Sequence, residues 1–497
     1  MQEAADRRRS TLDRSLVTGI AWTGGVKWLS QVLSWVATLI VARLLSLGDY
    51  GIAGMAATYI GLAQLVSEFG LSAAVVQRRD LTDDQIAQLG GLSMALGALF
   101  SLLSLGLASA VSAFFNEPRL RTVIIVLSAT FVLSGLQVLP RSLLTRDLRF
   151  SVMARIEGLE AATLTIATIT LALLRYGYWA LVVGGLISRL TGTVLLLMFS
   201  RHRVSWPRSL KPIAQPVAFG AHVLVASLAW YAFRTADMTV VGRMLGTAAL
   251  GAYTIGFTLA SIPVDRISGT ISRATSGIFA AVQDDAVALR RYLLSLTEGI
   301  AMITFPITMG MALVARDFVL LLLGEKWEPA IGALQVLAVA TAFRSVVPLL
   351  NQVLIATGES RRNMQATVAI ALVLPPLFVL GARSGIVGVA TVWLVAYPVI
   401  AAAFMLRFAL ASCRTTTAQY LRSLWPAASA TGFMVGAVLA LDVVIPDDSA
   451  LLARFSAKIA VGMVAYATAM YVAHGRRTWS FVQRVATLLA GSRGAGG

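Results

Sequence analysis

Apolar stretches long enough to cross a lipid bilayer follow one another along almost the whole chain. The hydrocarbon core of a bilayer is about 30 Å thick, which requires about 20 apolar residues of α-helix. Fourteen such stretches are predicted, at 17–42, 50–76, 90–114, 122–138, 157–174, 179–199, 217–241, 252–278, 293–314, 330–356, 364–380, 386–408, 423–444 and 450–473. Because backbone polar groups must find partners within the lipid, each stretch is expected to be helical. The predicted fold is an all-α, polytopic membrane protein with about 14 transmembrane helices.

The composition excludes a soluble protein and several kinds of chemistry. Hydrophobic residues make up 57% of the 497 residues and charged residues only 13%, whereas about 25% of the residues in soluble proteins are charged. One cysteine and three histidines predict neither a disulfide framework nor a metal site. Pairs of adjacent aspartates, such as Asp284-Asp285, lie in predicted loops without a phosphate loop or nucleophile elbow beside them. We therefore expect no enzymatic activity, no catalytic residue and no cofactor.

The net charge of +17 is explained by membrane topology and not by a nucleic-acid partner. With the N-terminus inside the cell, the segments between spans place 26 Lys and Arg residues on the cytoplasmic side. Ten lie on the other side, Lys458 among them. Cytoplasmic loops of membrane proteins are enriched in basic residues. The bias therefore predicts an even number of spans with both termini in the cytoplasm.

A weak internal repeat predicts two similar halves. An offset of 200 residues aligns four identities in eleven pairs: Val41, Arg43, Leu45 and Gly51 with Val241, Arg243, Leu245 and Gly251. Six spans restore the starting orientation, so parallel repeats are expected; chance identity between apolar stretches is the competing explanation. The predicted domains are an N-terminal six-helix bundle (1–200), a cytoplasmic linker (201–216), a C-terminal six-helix bundle (217–410), helices thirteen and fourteen (411–475) and a basic interfacial tail (476–497).

Five basic residues belong to no loop and fall inside predicted spans: Lys27, Arg189, Arg234, Arg266 and Arg344. A charge at the middle of the bilayer costs at least about 2.5–3.5 kcal/mol, and such residues normally face a bundle interior or an aqueous cavity. Snorkelling to the interface is the competing interpretation, and it is strongest for Lys27 and Arg234. Arginine donates paired hydrogen bonds to phosphate oxygens. The five side chains are therefore the candidate site for a diphosphate-bearing ligand.

Acidic residues in or near the spans are the candidates for coupling transport to H+ or Na+, because buried carboxylates change protonation readily. These are Glu68, Asp237, Asp265 and Glu298. Asp237 lies one turn after Arg234, so a local ion pair is the competing interpretation. Glu157 and Glu160 are placed at the cytoplasmic start of the fifth span.

Short motifs along the chain together resemble one transporter family. They lie at 42–51 (ARLLSLGDYG), 69–78 (FGLSAAVVQR), 140–150 (PRSLLTRDLRF), 237–253 (DMTVVGRMLGTAALGAY) and 323–327 (LGEKW). Over nearly its full length the chain resembles the polysaccharide transporter branch of the multidrug/oligosaccharidyl-lipid/polysaccharide flippase superfamily, the Wzx-type flippases. The resemblance implies two six-helix bundles in a V around a central cavity, with two additional C-terminal helices.

The same resemblance implies a substrate and a location. The substrate is an oligosaccharide repeat unit on undecaprenyl diphosphate, passed from the cytoplasmic to the periplasmic leaflet of the bacterial inner membrane by alternating access. The product serves lipopolysaccharide, capsule or exopolysaccharide synthesis, with membrane lipids and the polysaccharide polymerase or export machinery as partners.

Three other functions are left open by the sequence, and a lipid II flippase is the closest to the implied function and the hardest to exclude. A cation-coupled drug or metabolite exporter of the same superfamily is expected to concentrate carboxylates in its cavity, whereas basic residues prevail in these spans. A membrane glycosyltransferase or polysaccharide polymerase is expected to carry a sizeable extramembrane loop, and the predicted loops are short.

Overall fold

The computed structural model describes residues 35–68, 71–78, 81–200, 202–206, 214–446 and 449–494. Every regular element within these ranges is helical. In chain order the helices are α1 (Trp35–Leu44), α2 (Leu47–Glu68), α3 (Leu71–Gln77), α4 (Asp83–Phe115), α5 (Arg119–Leu127), α6 (Ala129–Arg146), α7 (Phe150–Leu173), α8 (Trp179–Phe199), α9 (Ala214–Ala281), α10 (Ala286–Leu322), α11 (Ile331–Arg344), α12 (Val347–Ala356), α13 (Ser360–Ala382), α14 (Gly385–Ala401), α15 (Arg407–Ser412), α16 (Thr417–Val444) and α17 (Leu451–Gly494). A 3₁₀ helix (Glu325–Ala330) precedes α11, and a π-helical turn (Ala402–Leu406) joins α14 to α15.

The described residues contain 11 helical segments long and apolar enough to cross a membrane. Ten of them coincide with predicted spans three to six and nine to fourteen, and the eleventh, Trp230–Ile262, lies where spans seven and eight are predicted. The first predicted span falls largely outside the described residues. The all-α, multi-span fold is therefore confirmed, and the number of fourteen spans stays a prediction.

Two compact units divide the chain, Met1–Gly251 and Ala252–Gly497. In the first unit, buried residues such as Leu71, Leu89 and Leu139 pack α3, α4 and α6 together. In the second unit, Ala301, Ala427 and Met470 belong to a cluster that packs α10 against α16 and α17. The two C-terminal helices therefore share a core with the second unit.

Helix starts follow local signals in the sequence. Thr82 and Gln85 form a reciprocal capping box at the start of α4, a motif typical of helix N-termini. Asp285 accepts hydrogen bonds from the backbone N–H groups of Val287 and Ala288 and so caps α10. The aspartate pair at 284–285 thus contributes to a helix cap, which is the role that such residues commonly have.

A break inside α9 creates a reciprocal contact with α2. Gly246 has a φ of 85°, which favours glycine, and the helix resumes at Thr247. A Cβ atom at Gly51 would overlap the carbonyl oxygen of Thr247, and a Cβ at Gly251 would overlap the carbonyl oxygen of Leu47. Gly51 corresponds to Gly251 and Leu47 to Thr247 at an offset of 200 residues, so the two contacts are equivalent. A pseudo-two-fold relation between the two helix starts produces such a pair of contacts. The two repeated six-helix halves stay a prediction.

Cys413, the single cysteine, lies just after α15 and is fully buried. Burial raises the pKa of its thiol to about 12, and only the thiolate reacts with maleimides. At pH 7.5 the folded protein should therefore react with a water-soluble maleimide about a thousandfold more slowly than a thiol of ordinary pKa. Mass spectrometry before and after denaturation measures this difference. A cysteine introduced at exposed Asp284 is the reactive control, and rapid labelling of native Cys413 would contradict the buried position.

Candidate functional site

Arg189 lies at the middle of α8 and is held by side chains of α6. Ten residues separate it from either end of the helix, a distance of about 15 Å at the usual rise. Its Nη1 donates a hydrogen bond of 2.9 Å to the Ser134 hydroxyl. Gln137 donates to the Arg189 carbonyl oxygen at 3.0 Å and to the Thr193 hydroxyl at 2.7 Å. A cation is therefore positioned deep in an apolar helix by polar groups of its neighbour.

The Arg189 guanidinium borders a cavity of about 340 Å³ inside the first unit. Residues of α3, α6, α7 and α8 line it, and the polar or charged ones include Ser72, Ser134, Gln137, Arg141, Glu160 and Arg189. Two guanidinium groups and hydroxyl groups around one space are suited to bind phosphate oxygens. We call this space the α6–α8 cavity.

Arg141 and Glu160 are cavity residues that were not among the predicted site residues. Arg141 Nη2 lies 3.6 Å from Glu160 Oε2, and the Ser188 hydroxyl donates to the Glu160 carbonyl oxygen at 2.8 Å. The predicted span began at Glu157 because charges were taken to bound spans, whereas α7 begins at Phe150. Glu160 therefore lies about 15 Å into the helix, not at its start. The apolar residues between 150 and 156 were the signal that could have revealed this.

Glycines allow α7 and α8 to approach closely beside the cavity. A Cβ atom at Gly192 would overlap the Glu160 carboxylate, and one at Gly184 would overlap the Thr168 hydroxyl. Gly192 thus leaves the room that the Glu160 carboxylate occupies.

Arg234 lies on the first half of α9 and stacks on an aromatic side chain. Its guanidinium carbon is 4.9 Å from the centroid of the Trp230 ring. Tyr231 donates a hydrogen bond of 3.0 Å to the Thr58 carbonyl oxygen of α2. Asp237 is fully buried and accepts a 2.8 Å hydrogen bond from the backbone N–H of Met238.

Arg344 is the last residue of α11 in the second unit and is surrounded by aromatic rings. Its guanidinium carbon lies 4.5 Å from the Trp393 ring centroid and 5.3 Å from that of Phe257. Trp393 is buried, and its ring lies 5.5 Å from that of Tyr397. Cation–π attraction is strongest for tryptophan, and a cation is favoured at a helix C-terminus. Both effects stabilise the charge of Arg344 within the helical unit.

The remaining predicted site residues are placed as follows. Lys27 lies outside the described residues, and so do the side chains of Glu68, Asp265 and Arg266. Glu298 lies on α10 and is partly buried. Among the described cations, Arg189 and Arg234 belong to the first unit and contact different side chains, whereas Arg344 belongs to the second. A common lining by all five cations remains a prediction.

A second charged cluster lies between α10, α16 and α17. Lys458 Nζ lies 2.7 Å from both Asp317 Oδ2 and Asp442 Oδ1, and Arg454 Nε lies 3.8 Å from Asp317 Oδ1. The side chains of Lys458 and Asp317 are 5% and 1% exposed. Lys458 is counted as extracytoplasmic in the sequence-based topology although the predicted span 450–473 contains it, and the structure buries it within α17. Its partners are distant in the chain, so sequence spacing contained no signal for this cluster.

The helical units and their charges at mid-helix define a class of protein. Apolar helices that carry cations within their length are typical of polytopic membrane transporters, where intramembrane charges mark substrate or ion sites. The sequence matches the family of polysaccharide biosynthesis proteins over residues 40–332. The chain belongs to this family. The matched region contains all five motifs on which the resemblance was based, and that resemblance is confirmed.

Individual relatives have similar sequences, and one solved structure has a similar fold. The chain is 26% identical over 448 residues to an uncharacterized membrane protein in the cps region of Klebsiella pneumoniae, covering 89% of this chain and 91% of that protein. It is 26% identical over 425 residues to the lipopolysaccharide biosynthesis protein WzxC of Escherichia coli K12, covering 84% and 85%. The fold is similar to that of the lipid II flippase MurJ in an inward closed conformation, with a TM-score of 0.76, 14% identity and coverage of 92% and 100%.

Proposed function

We propose that the protein is a flippase for oligosaccharide repeat units linked to undecaprenyl diphosphate. It moves them from the cytoplasmic to the periplasmic leaflet for surface polysaccharide synthesis and makes or breaks no covalent bond. Family membership and the names of the relative WzxC and the fold neighbour MurJ support this proposal. The single observation that carries the chemistry is Arg189, a cation at the middle of an apolar helix beside a polar cavity.

The physical task explains why such a protein needs intramembrane cations. Moving a charged diphosphate and several sugars through hydrocarbon costs tens of kcal/mol by ion desolvation, so the protein supplies a polar route. In this proposal the diphosphate is received by the predicted cations Lys27, Arg189, Arg234, Arg266 and Arg344. The prenyl tail stays in the lipid, and rocking of the two halves exposes the head group outside.

The finer features of the proposal follow from the same physics. The protein resides in the bacterial inner membrane with both termini in the cytoplasm. Entry of H+ or Na+ drives the cycle through intramembrane carboxylates, for which Glu68, Asp237, Asp265 and Glu298 are the candidates. The released repeat unit passes to the polysaccharide polymerase or export machinery.

Deletion of the gene tests the proposed function. We expect surface polysaccharide to disappear while its lipid-linked precursor accumulates with the head group in the cytoplasmic leaflet. Efflux of cationic dyes that depends on this protein would instead indicate a drug exporter. New glycosidic bonds made by the purified protein from lipid-linked substrate would indicate a polymerase or glycosyltransferase.

Replacement of Arg189 tests the site itself. Hydrogen bonds to charged groups contribute about 1.5–3 kcal/mol, so Arg189→Ala is expected to reduce export of the repeat unit about tenfold to a hundredfold. Arg189→Lys keeps the charge and should retain an intermediate rate. Complementation of the deletion strain, normalised to the amount of protein in the membrane, measures the effect. Arg383→Ala, at the end of α13, is the matched control, and normal export by Arg189→Ala would refute this role.

A further inference from the structure

The α6–α8 cavity contains a carboxylate to which the transport proposal assigns no role. Glu160 lies halfway along α7, and its Oε2 is 3.6 Å from Arg141 Nη2 of α6. The positive charge of Arg189 of α8 is the second one that attracts this carboxylate. Glu157, three residues earlier on α7, carries a negative charge that repels the Glu160 carboxylate. The side chain that α3 contributes to the cavity, Ser72, does not titrate.

The ion pair between Arg141 and Glu160 is loose and accessible. A direct N–H···O bond between such groups is about 2.7–2.9 Å long, shorter than the 3.6 Å observed here. The side chains of Arg141 and Glu160 are 40% and 21% exposed. The cavity of about 340 Å³ has room for roughly ten water molecules at about 30 Å³ each. An anion therefore has both the space and the access to compete with Glu160 for Arg141.

The position of the Glu160 carboxylate is set by its neighbours in the helix pair. Gly192 of α8 lies against the carboxylate where any larger residue would overlap it. The Ser188 hydroxyl bonds the backbone carbonyl of Glu160 and does not neutralise the side chain. The charge of Glu160 is thus balanced by the same guanidinium groups that an anionic ligand would use.

We propose that the α6–α8 cavity binds phosphate oxygens of an anionic ligand through Arg141 and Arg189, and that Glu160 takes up one proton when the anion binds. Once the anion engages Arg141, a charged Glu160 would stand in an apolar helix without its counter-charge, and this favours the neutral form. The proton comes from water and joins a carboxylate oxygen, and no bond in the ligand changes. This inference rests on the proposed flippase function and assigns to its anion site a coupling to protons.

Binding measurements on the full-length protein in detergent test the coupling. The probes are inorganic pyrophosphate and farnesyl diphosphate, titrated by calorimetry between pH 5.5 and 8.5 in two buffers of different ionisation enthalpy. The wild-type protein should take up about one proton per anion and lose affinity as pH rises, by up to about tenfold per pH unit. Glu160→Gln mimics the protonated acid. At pH 8.5 it should bind about tenfold more tightly than wild type.

Matched variants identify the group that titrates. Wild type and each variant are titrated with the same probe, so protonation of the probe itself cancels when they are compared. Glu157→Gln should keep the wild-type pH dependence, and Arg141→Ala should weaken binding at every pH. Gly192→Ala displaces the Glu160 carboxylate without removing it and should also alter the pH dependence, which keeps the test available if Glu160→Gln fails to fold.

Two outcomes would overturn the inference. One is a wild-type protein that binds neither probe, and the other is Glu160→Gln with unchanged proton uptake and pH dependence. Failure of the flippase function is recognised separately, because gene deletion would then leave the lipid-linked precursor unchanged while pyrophosphate still binds with proton uptake.

Discussion

Lys458→Met is expected to destabilise the protein by about 3–5 kcal/mol, the usual cost of removing one partner from a buried ion pair. Lys458 Nζ lies 2.7 Å from each of two carboxylates on different helices. Without this ammonium group, Asp317 is left at 1% exposure, and Arg454 at 3.8 Å is its remaining ion-pair partner among the described residues. The thermal unfolding midpoint in detergent measures the loss, and export should fall with the amount of folded protein.

The sequence offers a closely matched control for this prediction. Arg316, next to Asp317, pairs with Glu328 at 3.6 Å, and both side chains are more than half exposed. Exposed pairs contribute about 0–1 kcal/mol, so Arg316→Met should shift the midpoint little. Adding Asp317→Asn and Asp442→Asn to Lys458→Met removes the unpaired charges and should restore part of the stability. Equal midpoints for Lys458→Met and Arg316→Met would show that the buried cluster does not hold α10, α16 and α17 together.

Gly51→Ala is the second substitution with a large expected effect. A Cβ atom there would overlap the carbonyl oxygen of Thr247, which belongs to the backbone and cannot rotate away. Overpacking of this kind costs about 1–3 kcal/mol, and the helix starts must separate to admit the methyl group. Gly251→Ala should have an effect of the same sign, because the reciprocal contact is with the carbonyl oxygen of Leu47. Unfolding midpoints and export rates measure both.

The control uses the same substitution where no contact exists. Gly106 lies within α4, and a Cβ atom there meets nothing within 4 Å. Alanine stabilises a helix by up to about 1 kcal/mol relative to glycine, so Gly106→Ala should be neutral or stabilising. Thr247→Ser should also be tolerated, since the contact with Gly51 uses the Thr247 backbone. A stabilising effect of Gly51→Ala would contradict the close crossing of α2 and α9.

The sites predicted from sequence and those found in the structure differ for a definite reason. A charge within an apolar stretch is visible in the sequence, and Arg189, Arg234 and Arg344 were found in this way. A charge near the edge of a stretch is assigned to a loop when charges are used to bound the spans. Glu160 was placed near a helix start by that rule, whereas Lys458 was counted as extracytoplasmic although the predicted span 450–473 contains it. The structure places both well inside helices.

The sequence alone determined that this chain is a bundle of membrane-spanning helices with isolated cations, because lipid imposes a minimum apolar length and makes each internal charge conspicuous. It also predicted a repeat, because 41–51 and 241–251 share four residues at matching positions. Only the tertiary structure decided which charges meet. Arg141 with Glu160, and Lys458 with Asp317 and Asp442, come together through the packing of helices that are separated along the chain. Helix packing depends on side-chain shape across several surfaces, and spacing along one helix does not encode it.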